Sequence, residues 1–194
     1  VSSVCRSALF QLRNIGAVRK YLTEDACSQL IHSFVSSRID YCNSLLANIP
    51  NSVYSKLQKL QNIAARILTR TRKYDHISPV LITLHWLPIP LRVNYKLLLL
   101  TYKAINDLGP AYLKDLLVPY TSQRTLRSSS QYLLQVPAVR LKSYGHRAFG
   151  LAARTLWNSL PYDLRTASSV SSFKSGLKTF LFKLFTSNPS CYIH

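Results

Sequence analysis

Residues 23–50 read TEDACSQLIHSFVSSRIDYCNSLLANIP, and they give the clearest indication of the fold. Apolar residues recur in it at helical spacing, and serines occupy the opposite side. Thr23 suits an N-cap, and Glu24 and Asp25 follow where the helix dipole favours acids. Pro50 closes the segment. The pattern predicts one long amphipathic helix whose buried stripe is Cys27, Leu30, Ile31, Phe34, Val35, Ile39, Cys42, Leu45 and Leu46.

Helices are predicted on both sides of this stretch. Before it, apolar residues from Val4 to Ile15 have helical spacing, and Gly16 is expected to end the run. After it, Asn51 or Ser52 is expected to cap a helix. The buried seam of that helix is predicted to be Val53, Leu57, Leu60, Ala64 and Ile67.

The remaining chain also has mainly helical patterns. Ser78 and Pro79 open a short helix, residues 91–106 are apolar almost all round, and residues 111–117 form one further short helix. Residues 123–130 have the composition of a loop. Short β-like runs at 132–136 and 139–141 make a candidate hairpin around Pro137, and 145–157 are helical. Ser171 or Ser172 begins a terminal amphipathic helix with Phe173, Leu177, Phe180, Leu181 and Leu184 on one side.

These patterns predict a mainly α fold. The expected organisation is a thumb-like helical bundle over 1–74, a central helical segment over 75–118, and a basic, α-rich C-terminal region over 119–194. Hydrophobic residues make up 47% of the chain and charged residues 16%, so a packed core is expected.

Charge is the strongest functional signal. The chain has 25 Lys and Arg residues against 7 acids, for a net charge of +18. Such an imbalance destabilises a compact state unless an anionic partner screens it. Nucleic acid is the first expectation, an anionic membrane surface the second, and an acidic protein the third.

Residues for catalysis are scarce. The acids are scattered among basic neighbours, so paired carboxylates for hydrolysis or for binding metal ions are hard to assemble. No glycine-rich phosphate loop is present, and no second pair of ligands completes a zinc site around Cys191 and His194. We therefore expect no catalysis, metal, cofactor or small-molecule substrate in this chain. The acids are Glu24, Asp25, Asp40, Asp75, Asp107, Asp115 and Asp163.

The compartment is predicted from what the sequence omits. Residues 97–100 form the longest apolar run, which is too short to span a bilayer, and residues 1–15 do not resemble a signal peptide. The four cysteines have no paired spacing and are expected to be reduced, with Cys27 and Cys42 in the core. The chain has no Met and begins at Val1, so we expect an excised piece of a longer intracellular protein.

Two basic clusters are candidates for phosphate contacts. At about 100° per residue, the first falls on one helix face, with no acids to form i,i+4 pairs. The alternative is an ordinary solvated face. The second cluster is interleaved with Tyr132 and Tyr144 and suits phosphates with stacked bases, or else the edge of a tyrosine-rich core. The first comprises Lys56, Lys59, Arg66, Arg70, Arg72 and Lys73, and the second Arg124, Arg127, Arg140, Lys142, His146 and Arg147.

Three further side chains are singled out by position. Arg38 is predicted to lie on the apolar stripe of its helix, where it would need a partner or a ligand. Trp86 and Trp157 each closely precede a proline and are expected to be packing anchors.

Six motifs occur in order: DYCNSLL at 40–46, QNIAAR at 61–66, HISPVLITLHWLP at 76–88, YGHRAF at 144–149, LWNSLP at 156–161 and FKSGLKT at 173–179. Together they resemble the C-terminal region of reverse transcriptases from LINE-type, non-LTR retrotransposons, and the jockey-like group in particular. The resemblance covers residues 1 to about 185.

The resemblance implies that this chain is the thumb and post-thumb region of an RNA-directed DNA polymerase. The endonuclease, and the palm with its Mg²⁺ site, would lie upstream of Val1. The partners implied are RNA or DNA and the rest of the reverse transcriptase, without a membrane, in the cytoplasm and nucleus. The alternatives are a basic protein-interaction module, whose helix at 171–185 docks on an acidic partner or membrane surface, and a non-functional relic of a transposable element.

Overall fold

The described part of the chain is mainly helical, which confirms the predicted fold class. A computed structural model describes residues 1–121, 131–138, 145 and 147–193, and among these there is no β-strand. The α-helices are α1 (Ser2–Val18), α2 (Glu24–Ile31), α3 (Ser37–Asp40), α4 (Asn51–Thr69), α5 (Ile77–Thr83), α6 (Ile89–Ile105), α7 (Ala111–Asp115), α8 (Phe149–Asn158), α9 (Tyr162–Arg165), α10 (Val170–Ser187) and α11 (Ser190–Ile193).

The chain divides into two compact units. The first contains Val1–Asn43, Ile49–Arg92 and Phe182–His194, and the second contains Ser44–Asn48 and Val93–Leu181. Neither predicted boundary, after residue 74 or after residue 118, coincides with this division.

In the first unit, α1 buries Ala8, Leu12 and Ile15. The prediction that Gly16 ends this helix is wrong, because the helix continues to Val18 and a 3₁₀ turn, Arg19–Tyr21, follows it. A Cβ atom at Gly16 would lie 3.7 Å from Ile67 Cδ1, so this position faces α4. Glycine without positive φ is tolerated inside a helix, and here it marks a packing position instead of a stop.

The predicted long helix begins as expected but ends early. Thr23 is the N-cap of α2, and its Oγ1 accepts a hydrogen bond from Ala26 N at 3.3 Å. A π-helical segment, His32–Ser36, and α3 continue the helix only to Asp40. Tyr41 is extended and Cys42 is left-handed, with φ of 51°. The prediction of a core position for Cys42 is therefore wrong, since its side chain is exposed, whereas Cys27 is buried as predicted.

The π-helical segment explains which side of this helix is buried. Cys27, Ile31, Val35 and Ile39 are all buried and are spaced by four residues. In a regular α-helix each step of four would rotate by about 40°, and the wider π turn reduces this drift. The stripe therefore excludes Arg38, which is exposed and donates to Ser7 Oγ. The predicted apolar location of Arg38 is wrong.

In α4, the expected seam is only part of the buried side. The helix begins at Asn51 after Pro50, so the N-cap lies before either predicted residue. Two amides, Gln58 and Gln61, are buried beside the predicted leucines. Gln58 Oε1 accepts the N–H of Ile89 at 2.9 Å, and Gln61 Nε2 donates to the carbonyl of Leu87 at 2.8 Å. These bonds connect α4 to the beginning of α6 and satisfy one of its free N-terminal donors.

The second unit is built around stacked aromatic rings. The rings of Tyr102 in α6 and Phe173 in α10 are stacked, with centroids 4.2 Å apart. Trp157 is 1% exposed, packs against Phe173 at 6.0 Å, and donates from Nε1 to the carbonyl of Tyr132 at 2.8 Å. Trp86, in the first unit, is also buried. The prediction that both tryptophans are packing anchors is confirmed.

Residues 132–136, the first arm of the candidate hairpin, pair with a different segment from the one predicted. Pro119 and Leu134 form an isolated antiparallel bridge, with Tyr120 N donating to the carbonyl of Leu133 at 2.9 Å. Asn158 holds this segment by two bonds to the backbone of Leu134. Residues 139–141, the predicted second arm, lie outside the described residues. Residues 132–136 are therefore aligned with the chain that precedes them.

The remaining helix starts agree with prediction to within two residues for α5, α6 and α10. The last of these begins at Val170, and Ser169 Oγ accepts the N–H of Ser172 at 3.1 Å, as an N-cap does. The helix therefore begins one or two residues before the predicted Ser171 or Ser172, and Ser169 caps it. Helix α8 begins at Phe149, four residues later than predicted.

Candidate nucleic-acid interface

Helices α1 and α4 of the first unit pack side by side in parallel. Near their C-terminal ends, Arg19 donates to the carbonyls of Ile67 and Leu68 at 2.9 and 2.8 Å. Near their N-terminal ends, burial raises the pKa of the Cys5 thiol, while the amino terminus and the ammonium of Lys56 act in the opposite direction. The N-terminal part of α1 is thus beside the N-terminal part of α4, and the C-terminal parts are also side by side.

The first predicted cluster lies on the exposed side of α4 and on the loop that follows. Lys56, Lys59 and Arg70 are exposed, and Arg66 is half-buried. The opposite side of the helix buries Leu57, Leu60, Ala64 and Leu68 among others. Helix α4 ends at Thr69, and Arg70 is left-handed, with φ of 56°, so Arg72 and Lys73 belong to the loop and not to the helix. The structure therefore brings the six predicted cations together as a helix face with a loop at its end.

Helix α1 adds cations that the sequence pattern did not assign to this cluster. Arg6 and Arg13 are exposed and only about 20° apart around the helix axis. Gly16, which faces α4, is about 60° from Arg13. Both arginines therefore flank the line along which α1 meets α4. We call the combined surface the basic face; it comprises Arg6, Arg13, Lys20, Lys56, Lys59, Arg66, Arg70, Arg72 and Lys73.

The basic face lacks carboxylate partners. The ion pairs found among the described residues are Arg92–Asp40, at 2.9 Å, and Lys114–Asp107, at 2.6 Å, and neither involves this surface. Asp75 is the acid beside it, and its Oδ2 accepts the backbone N–H of Arg72 at 3.0 Å. No described carboxylate therefore forms an ion pair with a cation of the basic face.

Two arginines of the basic face also donate hydrogen bonds to backbone carbonyls. The guanidinium of Arg66 donates to the carbonyls of Arg72 and Asp75, the latter at 2.7 Å. Arg70 Nη2 donates to the carbonyl of Arg19 at 3.5 Å. Because carbonyl bonds leave the charge in place, Arg66 can still attract phosphate, although replacing it would also release the loop.

The second predicted cluster is described only in part. Arg147 is exposed in the turn before α8. Arg124, Arg127, Arg140, Lys142, Tyr144 and His146 lie outside the described residues. Tyr132 is exposed, and its ring centroid is 6.5 Å from that of Tyr162.

The described ranges contain no group of three or more His, Cys, Asp or Glu residues placed to hold a metal ion. Nor do they contain a helix of sufficient length and apolarity to cross a membrane.

Comparison with known proteins identifies no relative. No protein-family model, curated protein or solved structure matches this chain.

Proposed function

We propose that this chain binds a nucleic-acid duplex through its basic face, as the thumb of a retrotransposon reverse transcriptase would hold its template and primer. The observation that carries the proposal is a face two helices wide whose cations have no described carboxylate partner. Long cationic side chains on packed helices are suited to contacting phosphates, because the helices fix their spacing.

The dimensions of the face agree with this ligand. From Lys56 to Arg66 the axis of α4 rises by about 15 Å. A B-form strand presents about four phosphates over that distance. Arg6 and Arg13 run parallel to this row on α1, so the face offers cations in two rows.

In this proposal the chain holds the nucleic acid and does not carry out the polymerisation. Polymerisation would take place in the palm, upstream of Val1, and the post-thumb region would contact RNA or target DNA with Arg124, Arg127, Arg140, Lys142 and Arg147. The competing idea is that the basic helix α10 docks on an acidic partner or membrane surface. Because Phe173, Leu177, Leu181 and Phe185 on its apolar side are already buried, such docking would use its exposed lysines.

The test is binding of a labelled RNA–DNA duplex to the full 194-residue chain over a salt series. If about five phosphates are neutralised, log affinity falls against log salt with a slope of about −4 to −5. In the variant Lys56→Glu with Lys59→Glu, we expect weaker binding and a slope shallower by about 2. Duplex RNA and duplex DNA, as competitors, report which duplex is preferred.

The matched control is Lys174→Glu with Lys178→Glu, an equal change of charge at two exposed positions of α10. We expect the control to retain most of the affinity. Equal weakening by both variants would show that net charge, and not the basic face, controls binding. No binding at low salt by the folded wild-type chain would refute the proposal.

A further inference from the structure

Two Lys-Tyr pairs occur at the same end of the basic face. Lys20 and Tyr21 follow α1, and Lys73 and Tyr74 follow α4. Because α1 and α4 are parallel, both pairs lie beyond the helix C-termini, and the bond from Arg70 Nη2 to the carbonyl of Arg19 joins the two ends directly.

The segment that carries the first pair is held by an arginine. Arg19 donates to the carbonyls of Ile67, Leu68 and Leu22, at 2.8 to 2.9 Å. The bonds to Ile67 and Leu68 attach the 3₁₀ turn to the last turn of α4, and the bond to Leu22 lies within the segment itself. Tyr21, at the end of this turn, is nevertheless 76% exposed.

The segment that carries the second pair is held in the same manner. Arg66 donates to the carbonyls of Arg72 and Asp75, and the carboxylate of Asp75 accepts the N–H of Arg72. The hydroxyls of Thr69 and Thr71 are 2.6 Å apart, which adds a further contact within the turn. Tyr74 is 90% exposed, although the loop around it is closely bonded.

Each exposed ring has a cation beside it. Lys20 Nζ is 4.7 Å from the ring centroid of Tyr21, and Lys73 Nζ is 5.6 Å from that of Tyr74. The helix dipole accounts for lysines at helix C-termini, but it does not account for exposed tyrosines. Among the described residues, neither tyrosine hydroxyl has a hydrogen-bond partner. The bonded segments therefore position both rings, but the rings are exposed and their hydroxyls form no hydrogen bond with the described residues.

We infer that Tyr21 and Tyr74 stack on unpaired bases next to the duplex, so that the preferred ligand is a duplex with a single-stranded extension. Aromatic rings beside cations bind single strands because every base has a π face and every nucleotide a phosphate. The axes of packed helices lie about 8–10 Å apart, and the bond from Arg70 to the carbonyl of Arg19 joins the ends of α1 and α4. The two segments are therefore close enough for one nucleic-acid strand to contact both. This inference rests on the proposed function, whose basic face would hold the paired part.

The experiment compares two RNA–DNA duplexes, one blunt and one with a short single-stranded extension that contains a fluorescent adenine analogue. We expect the full chain to bind the extended duplex at least about fivefold more tightly, and to quench the analogue. Tyr21→Ala with Tyr74→Ala is expected to abolish this preference, leaving the affinity and salt slope of the blunt duplex unchanged.

Two control variants separate stacking from other causes. Tyr21→Phe with Tyr74→Phe keeps both rings and should keep the preference. Tyr41→Ala removes a tyrosine that is 81% exposed elsewhere in the first unit, and should have no effect.

Equal binding of the two duplexes by the wild-type chain would overturn the inference, as would an unchanged preference in the Tyr→Ala variant. Blunt-duplex affinity reports on the basic face alone. If it is present without a preference for the extension, only this inference fails; if it is missing, the proposed function fails.

Discussion

The buried amides of α4 allow a test of the fold, because two similar substitutions should lower the unfolding free energy by different amounts. Gln58 and Gln61 are 1% and 3% exposed and are one helical turn apart. Gln58 Oε1 accepts the N–H of Ile89, and its Nε2 donates to the side-chain oxygens of Gln61 and Asn62, at 3.0 and 2.8 Å. We predict that Gln58→Leu is much more destabilising than Gln61→Leu.

The magnitudes follow from the groups that each substitution leaves unpaired. Gln58→Leu deprives the Ile89 N–H of its acceptor, and it deprives the side-chain oxygens of Gln61 and Asn62 of their donor. An unpaired buried polar group costs about 1–3 kcal/mol, so the expected loss in unfolding free energy is about 2–4 kcal/mol after the gain from the apolar leucine is included.

Gln61→Leu leaves no comparable defect. The carbonyl of Leu87 still accepts from Arg92 Nε at 2.9 Å, and Gln58 Nε2 still donates to Asn62. Because replacing a polar group costs little when its partners remain paired, we expect a loss of at most about 1 kcal/mol.

Urea unfolding followed by circular dichroism measures both variants against the wild-type chain. The midpoint should fall far more for Gln58→Leu, with the slope against urea unchanged. Equal losses of stability in the two variants, or a larger loss in Gln61→Leu, would show that the bond to Ile89 does not stabilise the beginning of α6.

Two further predictions concern other positions. Gly16→Ala should stabilise the chain by about 0.5–1 kcal/mol in the same unfolding assay, because the glycine is helical and an added Cβ would make an ordinary contact with Ile67; destabilisation would indicate that Gly16 ends the helix. Alkylation at about pH 8, read by mass spectrometry, should modify the exposed Cys42 and Cys191 first and Cys27 only on unfolding, because burial raises the pKa of the Cys27 thiol and blocks access. The stability owed to that raised pKa should be lost as the pH rises past the ordinary thiol value of 9.0.

The candidate site was predictable only in part. The cations of α4 share a face because helical periodicity places them there, and that face is exposed as expected for Lys56 and Lys59. Arg6 and Arg13 were not assigned to it, although both are basic and on one side of a predicted helix. The sequence does not show that α1 packs parallel to α4, and it is this packing that brings the two arginines beside the lysines.

Features that depend on neighbouring residues could be predicted from the sequence alone: the helical content, the Thr23 cap and the buried Cys27. Periodicity and capping act over only a few positions. The tertiary structure decided where the long helix ends, since Asp40 is paired with Arg92, 52 residues away, and the chain turns at Cys42. It also decided the roles of Gln58, Arg19 and Arg66, each of which bonds to a backbone group of another segment. Any segment offers such groups, so the fold alone selects which of them a long polar side chain meets.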